Sequence, residues 1–152
     1  MNYVFGKQLQ ELSEGSISLP AYQGLATLSP WPLTQARILR FQRQSKFWRP
    51  RWYIPNLGVF QRRLGGGIAL ICELCIGSKK IVTYNLHLES RGDDDLRLRQ
   101  LSETLADAAR NMQSIAILGG DFNLESGNAK ADSAVRMAGF SDAVHMPTCQ
   151  AQ

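Results

Sequence analysis

Ile115–Glu125, read Ile-Ala-Ile-Leu-Gly-Gly-Asp-Phe-Asn-Leu-Glu, limits the possible folds more than any other stretch. Four apolar residues, Ile115 to Leu118, signal a short buried strand, and Gly119-Gly120 ends it. An acid and an amide, Asp121 and Asn123, follow the break one residue apart. In extended chain, residues i and i+2 point to the same side, so both are expected to face one pocket at the strand's exit. The glycines leave the backbone free to turn and put no side chain near a ligand. An oxygen ligand beside an amide donor at the mouth of a sheet suits a hard metal ion and a phosphate.

Two further segments belong with it. Lys79–Leu88 alternates as a strand and ends in His87, followed by Glu89-Ser90. Asp93–Met112 reads as a helix. Asp93-Asp94-Asp95 supply an N-cap and an acidic first turn, and Leu98, Leu101, Leu105, Ala108 and Met112 form one apolar stripe. The order is Asn-Leu-His-Leu-Glu-Ser, then a helix carrying Arg99-Gln100, then a strand ending Gly-Gly-Asp-Phe-Asn. That order resembles the endonuclease/exonuclease/phosphatase superfamily of DNase I-like nucleases, abasic-site endonucleases, sphingomyelinases and phosphoinositide phosphatases. The His-Leu-Glu-Ser form is most similar to the branch containing tyrosyl-DNA phosphodiesterases. Gly24–Leu33 (Gly-Leu-Ala-Thr-Leu-Ser-Pro-Trp-Pro-Leu) resembles another strand of that family. The resemblance implies an α/β fold, part of a four-layer sandwich of two mainly antiparallel sheets packed face to face and flanked by helices.

The resemblance also implies a chemistry: in-line attack of an activated water on phosphorus, with Mg2+ or Mn2+ steadying the developing charge. Carried over residue by residue, Asp121 orients the water or contacts the metal. Asn123 hydrogen-bonds a phosphoryl oxygen, and His87 donates to the phosphate or orients a carboxylate. Asn85, at the same strand end, is a substrate contact, and Glu89 a supporting carboxylate. The chain also departs from the pattern. The N-terminal Asn and Glu strands that supply the main magnesium ligand have no counterpart, nor does the C-terminal Asp…Asp-His segment that supplies the base. Residues 1–152 are therefore expected to form a single partial domain, a monomer with little activity alone.

Charge distribution narrows the partner. Of the 17 Lys and Arg, eight fall between Gly15 and Cys72, a stretch without one acid. The remainder holds nine bases against thirteen acids. Such a basic segment points to an anionic partner, and leans toward DNA or RNA. Within it, Gln42–Leu57 interleaves Arg and Lys with Trp48, Trp52 and Tyr53, and Trp52 and Arg62 are its candidate substrate contacts. The bland alternative packs those aromatics on a sheet edge and leaves the arginines in water. Two functions of different class stay open: a metal-dependent phosphoester hydrolase, and a non-catalytic binder of nucleic acid or another anion using residues 37–63.

The rest of the chain is expected to play supporting parts. Asn2–Gly6 reads as a short strand and Gln8–Glu14 as a polar turn, which leaves Glu11 a solvated surface acid despite its Leu-Gln-Glu setting. The residues to Gln23 read as loop, Gly24–Ser29 and Ala36–Phe41 as strands, and Gly58–Gln61 and Ile68–Ile76 as paired strands joined by a glycine-rich hairpin. Cys72 and Cys75 are expected to pack in the core, since one close pair cannot make a four-ligand zinc site. Asn128–Ala138 reads as a helix closed by Gly139, Phe140–Ala143 as an edge strand, and His145 as a loop residue. No apolar run approaches the roughly 18 residues of a membrane span and no signal peptide opens the chain, so the expected location is cytoplasmic.

Overall fold

The computed structural model describes residues 1–12, 19, 21–46, 63–111 and 114–143. Seven strands and two helices follow in the order β1 (Asn2–Glu11), β2 (Ala21–Ser29), β3 (Leu33–Arg40), β4 (Arg63–Gly65), β5 (Ile68–Ile76), β6 (Lys79–His87), α1 (Asp94–Ala109), β7 (Ile115–Asp121) and α2 (Ala129–Met137). They build a three-stranded sheet, β2-β1-β4, and a four-stranded sheet, β3-β5-β6-β7. All described pairings are antiparallel except β6 with β7, whose parallel run is bridged by α1 as a crossover. The two sheets face each other and the helices cover the outer face of the larger one. This is the expected α/β sandwich of two mainly antiparallel sheets flanked by helices.

The period of two in β6 divides its residues between two environments. Val82, Tyr84 and Leu86, with Leu88 beyond the strand, turn toward the helices and pack with Ala69, Ile71, Leu101, Leu105 and Ala108. Thr83, Asn85 and His87 turn toward the smaller sheet. The helix stripe is therefore as expected through Ala108, while Met112 lies outside the described residues. Asp93 caps α1 by accepting from the Leu96 amide at 2.8 Å. Asp94 pairs with Arg97 at 2.8 Å and accepts from the Asn128 side chain at 3.1 Å, which ties α1 to α2.

A polar staple crosses the helix-facing layer. Arg37 on β3 grips Asp107 on α1 with both terminal nitrogens, one at 3.2 Å, and the Tyr84 hydroxyl donates to Asp107 at 3.1 Å. Burial alone would push the Asp107 carboxyl up. The Arg37 hydrogen bonds and charge, with Tyr84 and Arg110, outweigh it and hold the carboxyl below its usual range.

Several expectations need correction. β1 does not stop at Gly6 but runs on through Glu11, because β2 and β4 both pair with its second half. Glu11 is consequently buried, accepting from Gln23 at 2.7 Å and from Arg63 at 3.1 Å, and is no solvated surface acid. Ala21–Gln23 belong to β2 rather than to a loop. β3 begins three residues early, at Leu33, and ends at Arg40. Arg63–Gly65 is a short strand against β1 rather than part of a hairpin, and the strand expected over 58–61 lies outside the described residues. Cys72 is buried as expected, and burial pushes its thiol up, but Cys75 on the opposite face is exposed. On α1, Arg97 donates to the Glu89 carbonyl at 2.8 Å and Gln100 accepts from the Glu89 amide at 2.8 Å, while Arg99 is exposed. Residues 140–143 form no strand, and His145 lies outside the described residues.

Candidate functional site

The parallel register of β6 and β7 builds the site. It pairs Asn85 with Gly119, Leu86 with Gly120 and His87 with Asp121, so the last residues of both strands lie side by side on the face turned toward the smaller sheet. β7 continues through both glycines to Asp121 instead of ending before them. The continuation explains Gly120. Its φ of +130° suits glycine, and a Cβ there would lie 2.1 Å from the Leu86 carbonyl oxygen. Glycine at 120 thus permits close strand pairing, while a Cβ at Gly119 would meet nothing within 4 Å.

His87 Nε2 stands 3.8 Å from Asp121 Oδ2, within ion-pair reach if the imidazole is protonated but too long for a hydrogen bond. The Asp121 side chain is 63% exposed and the His87 side chain 29%, so the pair opens to solvent. Behind the imidazole, Nδ1 meets Gln8 Oε1 at 2.9 Å. Asn85 donates to the Ala26 carbonyl at 3.0 Å and so ties β6 to β2.

Asp121 and Asn123 do not share a face in the way an extended chain would make them. The chain turns at Asn123, whose φ is +50°, a left-handed conformation that asparagine tolerates better than most residues. Its amide N–H donates to Asp121 Oδ1 at 2.9 Å, closing a local turn. Its side-chain amide donates to the Leu88 carbonyl at 3.1 Å, while the Leu88 amide donates to the Asp121 carbonyl at 2.9 Å. The turn fastens the end of β7 to the chain leaving β6. An NH2 group has two protons, and one stays available after the Leu88 bond.

Of the sequence-predicted residues, the structure brings together His87, Asp121 and Asn123, with Asn85 one position back on the same face of β6. Glu89 is buried, with its carboxylate accepting from the Ser45 and Arg91 amides, each at 3.0 Å. It braces the turn after β6. Trp52 and Arg62 lie outside the described residues. Gln8 was invisible in the sequence. It sits in a stretch that reads as polar turn, and only the pairing of β1 with its neighbours directs it to His87.

The described residues at the strand ends offer a divalent cation only one carboxylate. Among the described residues no three His, Cys, Asp or Glu side chains cluster as ligands. Asp121 is the only carboxylate of the three residues at the strand ends, and Glu11 is engaged by Arg63 and Gln23. Magnesium takes one or two carboxylates together with substrate phosphates and water, and a single exposed aspartate is a weak holder by itself.

No protein-family model matches the chain, and no curated protein does. Among solved structures, SmcL is similar with a TM-score of 0.59 at 18% identity, over 82% of this chain and 42% of that one. Humanized D. rerio TDP2 with 14 mutations aligns over 93% of this chain and 48% of that one, with a TM-score of 0.44 at 17% identity. The chain spans less than half the length of either. At such identity the likeness to SmcL is one of architecture. No described helix is long and apolar enough to cross a membrane. Sheet order, strand register and the SmcL likeness agree on one conclusion: the chain has a DNase I-like α/β sandwich fold.

Proposed function

We propose that the chain contributes the phosphate-facing part of a phosphoester hydrolase centre, formed by His87, Asp121 and Asn123. The observation that carries this reading is the parallel β6–β7 register, which sets His87 beside Asp121 at the open end of the sandwich. The remaining Asn123 amide proton is a donor for a phosphoryl oxygen, and the Leu88 bond fixes its direction before a ligand arrives. His87 is a second donor or a proton carrier, and Asp121 an acceptor that orients an attacking water. The fold likeness to SmcL, a sphingomyelinase, supports phosphoester chemistry in general and selects no substrate. Within that class, the basic excess of residues 37–63 favours a nucleic-acid diester. Dependence on Mg2+ or Mn2+ enters this reading through the family resemblance alone. The described residues supply one of the carboxylates such a site needs, which predicts slow turnover by this chain.

Hydrolysis of bis(p-nitrophenyl) phosphate, followed in magnesium-containing buffer, tests the reading. Slow wild-type turnover is expected to fall by about 10²–10³-fold in Asn123→Ala, with KM little changed. Equal rates in wild type, His87→Ala, Asp121→Ala and Asn123→Ala would contradict it. A purely binding role would instead appear as affinity for single-stranded DNA that weakens with salt and ignores Asp121→Ala.

A further inference from the structure

Gln8 is a buried polar contact of His87, and the chain takes structural trouble to place it. The Gln8 residue is 4% exposed and its neighbour Leu9 also 4%. Regular strand alternation cannot bury two consecutive residues on one face. The register of β1 against β2 slips between Lys7 and Leu9, leaving Gln8 without a partner across the ladder. This is a β-bulge, and it turns Gln8 inward while Lys7 stays outside over the Tyr22 ring, 3.7 Å from its centroid.

Two residues from other strands brace the bulge. Arg40 on β3 donates to the Lys7 and Gln8 carbonyls, both at 3.3 Å. These are acceptors next to a ladder that the bulge interrupts. Gly65 on β4 passes so close that a Cβ would lie 2.5 Å from the Gln8 carbonyl oxygen and from Leu9 Cα. A bulge held from both sides fixes the direction of one side chain, and that side chain ends on His87.

We infer that Gln8 is a positioning residue that sets the tautomer of His87. The bond of 2.9 Å joins His87 Nδ1 to the carbonyl oxygen of the Gln8 amide, which only accepts, so Nδ1 carries the proton. In the neutral ring Nε2 then presents its lone pair on the side of Asp121. The imidazole is held ready to take a proton at Nε2 from a water or hydroxyl at the strand ends. When doubly protonated it donates from Nε2 to a phosphoryl oxygen or to Asp121. Gln8 touches neither Asp121 nor Asn123 in any described contact and acts through the ring alone.

The inference rests on the hydrolase reading for its consequence, but its observable does not. Two-dimensional 15N NMR of the histidines, taken at a pH where the ring is neutral, reads the tautomer directly. The wild type is expected to show His87 with Nδ1 protonated and Nε2 bare. Gln8→Leu should shift it toward the Nε2–H form that free histidine favours, and Gln8→Glu, which also only accepts, should keep the wild-type form. Thermal unfolding of each variant separates a folded variant with a changed ring from an unfolded one. An Nε2–H tautomer in the wild type overturns the inference without any variant, and so does an unchanged tautomer in a folded Gln8→Leu. Absent phosphodiester turnover with the Nδ1–H tautomer intact would instead sink the hydrolase reading alone.

Discussion

The two faces of β6 differ in almost every respect although their residues alternate along one strand. Toward the helices lie Val82, Tyr84, Leu86 and, just beyond the strand, Leu88, none more than 1% exposed. They pack on a helix whose stripe repeats every three to four residues. Toward the smaller sheet lie Thr83, Asn85 and His87, polar and half-buried, each with a hydrogen-bonding partner: the Cys72 carbonyl, the Ala26 carbonyl and the Gln8 amide. The first face stabilises the sandwich by removing apolar surface from water. The second spends some of that stability to hold directional groups at an open edge. Changes on the helix side should therefore act on folding, and changes on the inner side on ligand chemistry.

The sharpest way to break the comparison is Gly120→Ala, at the seam of both faces. Its Cβ would overlap the Leu86 backbone, so a loss on the order of 4–5 kcal/mol, or no folded protein, is expected in chemical denaturation. Retention of wild-type stability would disprove the β6–β7 pairing. Leu101→Ala comes next. It empties a fully buried position under β6 and should cost about 2–5 kcal/mol while leaving histidine tautomers unchanged.

Asp107→Asn should cost less, about 1–2 kcal/mol, since Arg37 is near half-exposed and Tyr84 keeps its bond from Asn111. The same carboxylate makes stability depend on pH. Its folded pKa lies below the unfolded value, so its contribution is present above about pH 4 and is lost as pH falls through the folded pKa. Acid unfolding curves of wild type and Asp107→Asn should therefore converge below pH 4. Ile117→Lys is the weakest case. Ile117 is on the inner face but 53% exposed, so a change within about 0.5 kcal/mol is expected.

The helix-facing half of this architecture was legible because it depends on local periodicity. The Leu101–Leu105–Ala108 stripe, the Asp93 cap and the alternation of β6 each state their face in the sequence. The inner half was legible only where a residue pattern advertised it, as with His87 and Asp121. Gln8 and Glu11 read as parts of a polar turn because their partners come from elsewhere: His87 on β6 and Arg63 on β4. A bulge breaks the alternation that identifies a strand, so β1 appeared to end five residues early. Asn123 was expected beside Asp121, but its direction was not, because φ of +50° replaces the assumed extended chain.

The central claim is that the joined ends of β6 and β7 form a phosphate-handling site. Backbone and side-chain amide NMR shifts during titration with bis(p-nitrophenyl) phosphate test it most directly. The account predicts the largest shifts at His87, Leu88, Asp121 and the Asn123 side-chain amide, and their loss in Asn123→Ala. Shifts confined to other surfaces, with the Asn123 amide unmoved at saturation, would contradict it.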